Sequence, residues 1–462
     1  MTKAHNTYRR YIYSRPSRIP FQLPQSLSTQ IYCNITNTNT MVLPTAPVVP
    51  MDLGDDFKFG PTVLDPIQPE DQDNLVPING FPSVDPAGGD VAMSQLDVLA
   101  HFFGTYSGFG FNTIFRPNGT TTPTPLPILP PSEDPNDNIL QLNLTSESLA
   151  FAKGRLDDVP NRGLDTQADI MLNGVPYTQT IADITEMVKP PKKQPVIHFE
   201  PGLWMHVPAS EQMPVLAASL SRMASIPHGT SINAQSFTAT ITAKGAPVFS
   251  PVDITPTVVG GTQKIPFRSQ TLTNNNTHRL PQDLSSFDNA GTITQAILTD
   301  PNTVLRNANV GKNIIENTTF EVSSQAQNPN LGGGTSNIGF LIGADAGATS
   351  ASVQARSGNA NAVTVTAQYW LSRVRTQINL PACQSADKKT VSPASHGPRD
   401  AVPRFLVDID VPAPKTVNIE YIQIQYSQNV SLDFNGLSWP HVTVGTLAPT
   451  IRHKLSQVLV SH

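Results

Sequence analysis

The stretch HFFGTYSGFGFNTIFRP, residues 101–117, interleaves glycines with aromatic residues and decides the fold prediction. Its glycines are Gly104, Gly108 and Gly110, and the aromatics that alternate in part with them are Tyr106, Phe109 and Phe111. Glycine lets a strand coil strongly and lets another backbone approach closely. Aromatic side chains on the opposite pleat would fill the floor of a small core. The stretch therefore predicts the leading strand of a barrel.

The rest of the chain has the composition of a β protein. Of its 462 residues only 14% are charged, and 43 are proline; soluble domains usually carry about 25% charged residues. Proline blocks helix interiors, and the abundant Asn, Ser and Thr compete for the backbone. Short apolar and polar alternations recur from residue 139 to residue 447, as expected for many strands joined by turns.

These patterns predict three parts of the chain. Residues 1–92 are aperiodic and rich in proline, and are expected to form a disordered tail and linker. Residues 93–450 are expected to form one antiparallel β domain, and residues 451–462 a C-terminal tail. One or two short helices are expected, at 93–103 and at 291–309, where Thr292 is a candidate N-cap and Pro301 could split the segment.

Two dipeptides predict hairpin turns inside the β domain. Asn173-Gly174 interrupts the alternating segment 168–185, and Pro201-Gly202 interrupts the segment 196–208. Both dipeptides are turn formers between strands. Each segment is therefore predicted to be two strands rather than one.

The charge pattern bears on partners and location. The net charge is −5 and no long basic run occurs, which argues against nucleic acid as a partner. No run of 18 apolar residues occurs, so no membrane-spanning helix is expected. The expected location is the cytoplasm. Arg9, Arg10, Arg15 and Arg18, in a segment without acidic residues, keep mitochondrial import as an alternative, although nearby prolines would break the required helix. Self-association into a homo-oligomer stays open.

Several motifs resemble those of one superfamily. The order Gly104-x-Tyr106-x-Gly108-x-Gly110 followed by Ile114 resembles the first strand of calycin barrels, with Tyr106 in place of a tryptophan. HFEPGLW (198–204) resembles the H-x-E-x-G segment of nitrobindin-type haem-binding barrels. The motifs NRGLD (161–165), SIPHGT (225–230) and FNGLSWPHV (434–442) are similar to those of fatty-acid-binding-like putative haem-binding proteins.

The resemblance implies an all-β fold, an antiparallel lipocalin-like β-barrel that holds an apolar or amphipathic small molecule. A calycin barrel needs about 150 residues, in the range of ordinary domains, and this domain is more than twice that length. The domain is therefore expected to be an enlarged barrel of ten or more strands or two fused β units, and the sequence leaves both open.

Haem is the named cofactor that the resemblance implies. A late-barrel histidine supplies the haem ligand in nitrobindin-like proteins, which makes His441 one candidate. His228, between Pro227 and Gly229, is another candidate axial ligand; a turn histidine bonded to backbone is the alternative interpretation. Tyr106 and Trp204 complete the predicted haem-binding set, while a core position is the alternative for Trp204.

Other chemistry is also compatible with these residues. His198 and Glu200 are two apart on a predicted strand and share a face, so they are candidate metal ligands or one surface ion pair. His228, Glu200 and Arg222 form the candidate catalytic set, with Arg222 able to bind a carboxylate. A further hypothesis is a pair of carboxylates in the site. The candidates are Glu147, Asp169 and Asp183, and the sequence does not give the distances between them.

Three functions follow from this sequence. The first is binding of an apolar or amphipathic small molecule, haem or lipid-like, inside the barrel. The second is a cyclase or isomerase of lipocalin type that acts on a polyketide or terpenoid intermediate of secondary metabolism. The third is a structural coat protein, because Thr-, Asn- and Pro-rich β chains with few charges also build capsids.

Overall fold

The computed structural model describes ten ranges of the chain, all within the compact unit Leu75–His462. The ranges are residues 96–118, 138–163, 168–186, 193–209, 215, 217–236, 240–325, 333–337, 360–451 and 453–460. The predicted tail 1–92 lies outside them. Residues 453–460 are described, and Leu455 is buried there.

Strands dominate the described residues. They are β1 (Thr105–Pro117), β2 (Asn138–Phe151), β3 (Leu156–Pro160), β4 (Met171–Asp183), β5 (Val196–Val207), β6 (Ser219–Ser225), β7 (Thr230–Gln235), β8 (Ile241–Lys244), β9 (Thr257–Val258), β10 (Arg279–Leu280), β11 (Asn313–Ser323), β12 (Gly334–Asn337), β13 (Asn361–Leu380), β14 (Thr390–Val391), β15 (Phe405–Leu406), β16 (Lys415–Phe434) and β17 (Leu437–Ile451). Three short α-helices accompany them, α1 (Ser285–Asn289), α2 (Gln295–Thr299) and α3 (Thr303–Ala308).

Ten of the strands close into an antiparallel barrel. The order is β2-β1-β17-β16-β13-β11-β7-β6-β5-β4. The ring closes where β2 pairs with β4, from Thr145 opposite Asp183 to Phe151 opposite Tyr177. The prediction of an enlarged antiparallel β-barrel with short helices is confirmed.

The glycines of β1 face the barrel interior together with Tyr106. Gly108 and Gly110 alternate with outward-facing residues, and Gly108 pairs with the interior residue Glu147 of β2. A Cβ at Gly108 would lie 1.9 Å from the Thr446 carbonyl oxygen, and one at Gly110 would lie 2.1 Å from that of Val444. These glycines therefore let the backbone of β17 approach closely, as the sequence predicts.

The aromatics of β1 do not all fill the barrel floor. Phe109 and Phe111 alternate with the glycines and point outward, where they and Ile297 of α2 line the same surface cleft. The expectation that they fill the floor is wrong, because the inner face of β1 belongs to the glycines. Tyr106 alone of the three faces inward.

The segment 245–310 forms an outer layer on the barrel and accounts for the size of the domain. Phe249 packs edge-on against Trp370 of β13, with ring centroids 4.7 Å apart. Gln425 of β16 donates a hydrogen bond to the Leu305 carbonyl of α3, at 3.1 Å. The described residues thus form one enlarged barrel with an added layer, rather than two fused β units.

The predicted helix at 291–309 is two helices, α2 and α3. Pro301 lies between them, as a proline that interrupts a helix should. The hydroxyl of Thr294, not that of Thr292, accepts the N-cap hydrogen bond, from Ile297 N at 3.3 Å. No pattern in the sequence predicts the helix α1.

Both predicted hairpin turns are wrong. Residues 171–183 form the single strand β4, and residues 196–207 form the single strand β5. A Cβ at Gly202 would lie 2.5 Å from the Tyr177 ring, and one at Gly174 would lie 2.5 Å from the Trp204 carbonyl oxygen. These glycines make room for neighbours across the sheet and do not reverse the chain.

An aromatic plug fills one end of the barrel. A 3₁₀-helix, Asp97–His101, leads into β1, and the ring of Phe102 lies 4.6 Å from that of Phe151 and 5.7 Å from that of Trp204. Tyr106 packs against Phe151 and donates a hydrogen bond to the His101 carbonyl, at 3.3 Å. The short helix predicted within 93–103 corresponds to this 3₁₀-helix, and residues 93–95 lie outside the described ranges.

None of the helices in the described ranges has both the length and the apolar composition needed to cross a lipid bilayer.

Candidate functional site

A cavity of about 640 Å³ opens at the end of the barrel opposite the plug. This volume lies within the range of about 300–1,000 Å³ that is typical of small-molecule sites. Its apolar side chains include Ile114, Ile181, Ile197, Ile226, Val430 and Leu432. Its polar side chains include Asn112, Arg116, Gln141, Asn143, Gln179, His198, His228, Tyr426, Gln428, His441 and Thr443. Among the described residues that line it there is no carboxylate and no lysine.

A buried ion pair lies just below the cavity. Arg222 of β6 donates to Glu200 Oε1 of β5 at 2.5 Å and to the Tyr177 hydroxyl at 2.9 Å. Tyr177 in turn donates a hydrogen bond to Glu200. A third Arg222 nitrogen donates to Gln428 Oε1 at 2.6 Å, which turns the Gln428 amide nitrogen away from Arg222. Three strands therefore hold Arg222 in one orientation.

The ion pair keeps Glu200 charged. Burial alone would raise the pKa of Glu200, but the positive charge of Arg222 and hydrogen bonds from His198 and Tyr177 outweigh it and lower the pKa to about 2. Burial alone would lower the pKa of Arg222, but the charge of Glu200, with a smaller contribution from Tyr177, raises it well above its ordinary value. Glu200 and Arg222 are therefore a fixed pair of charges at neutral pH.

A second buried carboxyl, Glu147 of β2, has a different environment. Its Oε2 accepts from the Tyr426 hydroxyl at 2.7 Å, and its Oε1 accepts from Gln179 Nε2 at 2.6 Å. Gln179 Nε2 also donates to the Tyr426 hydroxyl, at 3.2 Å. Because burial is only partly offset by these hydrogen bonds, the pKa of Glu147 is raised to about 7.

A glycine makes the room that this second carboxyl needs. A Cβ at Gly445 of β17 would lie 2.6 Å from Tyr426 Cε1 and 2.9 Å from Glu147 Oε2. Any larger residue would push Tyr426 and Glu147 apart or out of the barrel interior. Residues of three other strands, β4, β16 and β17, therefore fix the conformation of Glu147.

Three histidines lie on the cavity wall. His198 Nε2 is 3.1 Å from Glu200 Oε2, and the rings of His198 and His228 meet edge to face, 5.2 Å apart. His441 Nε2 accepts a hydrogen bond from Asn112 Nδ2 at 2.9 Å. Burial is the main cause that lowers the pKa of His441 to about 3, and burial also lowers the pKa of His228. His228 and His441 are therefore neutral at pH 7.

Most of the residues predicted from the sequence come together here. His198, Glu200 and Arg222 are bonded in one network, His228 touches its edge, and His441 lies on the same cavity wall. Two predicted residues lie elsewhere: Tyr106 and Trp204 are buried in the aromatic plug and are not among the residues that line the cavity. No group of three or more His, Cys, Asp or Glu placed to hold a metal ion occurs within the described ranges.

Sequence reasoning missed the partners of Glu147. Tyr426, Gln428 and Arg116 had no assigned role, and Glu147 was one of three carboxylates without a partner. The alternation of side chains along β2 could have indicated that Glu147 is buried. Glu147 lies two residues before Leu149 and four before Phe151, which are both buried. A strand places such residues on one face, so a carboxylate among them has to point into the core.

Comparisons with known proteins carry no argument about this chain. No protein-family profile and no curated protein matches the sequence. The crystal structure of Rv2717c from M. tuberculosis is similar in part, with a TM-score of 0.26 and 9% sequence identity over 77% of this chain and 96% of that chain. A likeness this low supports no statement about the site or its ligand.

Proposed function

We propose that the protein binds a small amphipathic molecule with an anionic group in the cavity at the open end of the barrel. The observation that carries this proposal is the chemistry of the described cavity wall. One part is aliphatic, and the other has Arg116, three histidines and several amides, without a carboxylate or a lysine. An anionic group placed there finds hydrogen-bond donors, and none of the described residues of the wall is acidic.

Arg116 is the charged residue best placed to select an anion. It lines the cavity and, among the residues that the structure describes, donates one hydrogen bond, to Gln141 Oε1 at 3.2 Å, so those residues leave most of its five donors for a ligand. Burial lowers the pKa of Arg116; the guanidinium keeps its charge at neutral pH because its ordinary pKa is so high. A bound anion would recover part of the solvation that Arg116 loses.

Two fluorescent probes that differ by one sulfonate test this proposal. We expect 8-anilino-1-naphthalenesulfonate to bind with a Kd on the order of 10 µM, from about 0.3 kcal/mol per heavy atom. Neutral N-phenyl-1-naphthylamine should bind about tenfold more weakly, and Arg116→Gln should remove most of this difference. Fluorescence titration measures both constants.

A matched pair of variants places the probe in the cavity. Val430→Trp fills the cavity from its wall and should abolish binding, whereas Val159→Trp on the exposed edge strand β3 should not change it. Equal binding by both variants, or equal affinity for the charged and neutral probes, would contradict the proposal.

Haem belongs to the same ligand class, since it joins an apolar ring to carboxylates, and the residues present fit it. His228 is exposed at the cavity, its imidazole nitrogens make no hydrogen bond within the described part of the chain, and its neutral form can ligate iron. His441 is less suitable, because its Nε2 already accepts from Asn112. Bound haem would supply an iron centre for redox chemistry or for small ligands.

Hemin therefore provides a separate expected result. Addition of hemin should shift its Soret band and displace the anilinonaphthalene probe. His228→Ala should remove the shift, while His441→Ala should retain it. An unchanged Soret band with the wild-type protein would exclude haem and leave other amphipathic anions as ligands.

A further inference from the structure

A carboxyl group that ligand binding alone does not require lies behind Tyr426, just below the cavity. Glu147 is buried and accepts two hydrogen bonds, but no lysine or arginine pairs with it in the described part of the chain. Burying such a group without a cationic partner destabilises the fold relative to a neutral side chain. Glu200 lies on β5, two strands from Glu147 in the barrel, and shows that this barrel pairs a carboxylate with an arginine where a fixed charge is needed.

Glu147 reaches the cavity through Tyr426. The Tyr426 hydroxyl donates a hydrogen bond to Glu147 Oε2 at 2.7 Å and, among the described residues, accepts one hydrogen bond, from Gln179. A hydroxyl oxygen has two acceptor positions, so one remains for a group in the cavity that Tyr426 lines. A proton that leaves a ligand can therefore pass to Tyr426 while the Tyr426 proton passes to Glu147.

A donor for a ligand oxygen lies close to Tyr426 on the cavity wall. Gln428 is two residues from Tyr426 on β16, and its Oε1 accepts from Arg222. Its Nε2 has no hydrogen-bond partner among the described residues, and its side chain lines the cavity. The fixed charge of Arg222 thus holds an amide N–H available for an oxygen that gains negative charge.

We propose that Glu147, acting through the hydroxyl of Tyr426, is a general base that interconverts the keto and enol forms of a bound carbonyl compound. The inference rests on the proposed function, and it narrows the ligand to an amphipathic anion with a C–H bond next to a carbonyl. The residues in contact with the substrate are Tyr426 and Gln428.

The step balances without a co-reactant. The C–H bond beside the carbonyl breaks, its proton forms a new O–H bond on Tyr426, and the former Tyr426 proton moves to Glu147. The C–H electron pair forms a C=C bond, and the carbonyl electron pair moves to the oxygen, which accepts a hydrogen bond from Gln428. Return of the proton through Tyr426 to that oxygen gives the enol, and return to carbon gives the ketone.

The protonation state of Glu147 suits this role. A general base works best with a pKa near the working pH, and the pKa of Glu147 is about 7. The groups that face it are Tyr426 from β16 and Gln179 from β4, with His198 and Glu200 of β5 acting at longer range. The rate should rise with pH through about 7, as Glu147 loses its proton.

Phenylpyruvate tests the proposal, since it has an aromatic ring, a carboxylate and an enolisable ketone. Its binding is measured by displacement of the anilinonaphthalene probe. Exchange of its methylene protons for deuterium in D₂O is measured by proton NMR against a protein-free control. We expect the protein to accelerate exchange, and Glu147→Gln and Tyr426→Phe each to slow the catalysed exchange about 100-fold, in the range for loss of a general base.

Controls separate this inference from the proposed function. The control variant Glu321→Gln removes an exposed carboxylate of β11. It should accelerate the exchange of the phenylpyruvate protons as much as the wild-type protein does. If phenylpyruvate displaces the probe but the protein does not accelerate proton exchange, Glu147 is not the base, although the ligand binds. Wild-type acceleration of the exchange by the Glu147→Gln variant would have the same meaning. Failure of phenylpyruvate to displace a bound probe would overturn the proposed substrate class. Failure of the probe itself to bind would count against the proposed function.

Discussion

Replacement of Arg222 by methionine is expected to lower the free energy of unfolding by about 3–5 kcal/mol, the usual cost of removing one partner of a buried ion pair. Arg222 donates to Glu200, Tyr177 and Gln428 at once. Without it, Glu200 stays buried with its charge uncompensated, so it must either take up a proton or open the barrel. Urea unfolding at pH 7, followed by tryptophan fluorescence, measures the loss.

Two further variants show whether the cost arises from the unpaired charge. The double variant Glu200→Gln with Arg222→Met leaves no buried charge and should recover most of the lost stability. Arg375→Met removes the exposed pair with Glu420 and should cost less than about 1 kcal/mol. Equal losses in the single and double variants would mean that packing, and not the charge, explains the effect.

Replacement of Glu147 by glutamine is expected to stabilise the protein at high pH. The pKa of Glu147 is about 7 in the fold, against an ordinary value of 4.5. The folded state therefore binds more protons than the unfolded state between these values, and stability falls as pH rises through that window. The shift corresponds to about 3 kcal/mol, so Glu147→Gln should be more stable by about this amount at pH 8 and equal at pH 4.

Denaturant midpoints at the two pH values measure this difference. The matched variant Glu200→Gln should have the opposite effect at pH 8, because it leaves Arg222 without its partner. Glu321→Gln should have no effect at either pH. Loss of stability in Glu147→Gln at pH 8 would mean that Glu147 is held as a favourable charge, contrary to the assignment. If the Glu147→Gln variant is more stable but no longer accelerates the exchange of substrate protons, Glu147 is retained for its function at a cost in stability.

The fold class could be predicted because local sequence patterns indicate strands and close approaches between them. Close approach of β17 to Gly108 and Gly110 has a direct signature in the sequence. Asn173-Gly174 and Pro201-Gly202 have the same composition as turns, yet their glycines accommodate Trp204 and Tyr177 across the sheet. A glycine that turns the chain and a glycine that makes room for a neighbour look alike until the pairing of strands is known.

The candidate site could be predicted only in part for a related reason. His198, Glu200 and Arg222 are close in the chain and lie on neighbouring strands, so a short-range reading finds them together. Glu147 and Tyr426 are 279 residues apart in sequence, and their contact requires the order of the strands around the barrel. The sequence predicts helices at 291–309 but not that the segment 245–310 packs on the outside of the barrel, so the size of the domain could not be explained from sequence.

The central claim is that the open end of this barrel holds a ligand against Tyr426. A crystal structure of the complex with 8-anilino-1-naphthalenesulfonate tests it most directly. We predict electron density for the probe inside the barrel, with its rings against Val430 and Leu432 and its sulfonate within hydrogen-bond distance of Arg116 or a cavity histidine. Density for the probe only on the outer surface, with the interior closed by side chains, would contradict the account.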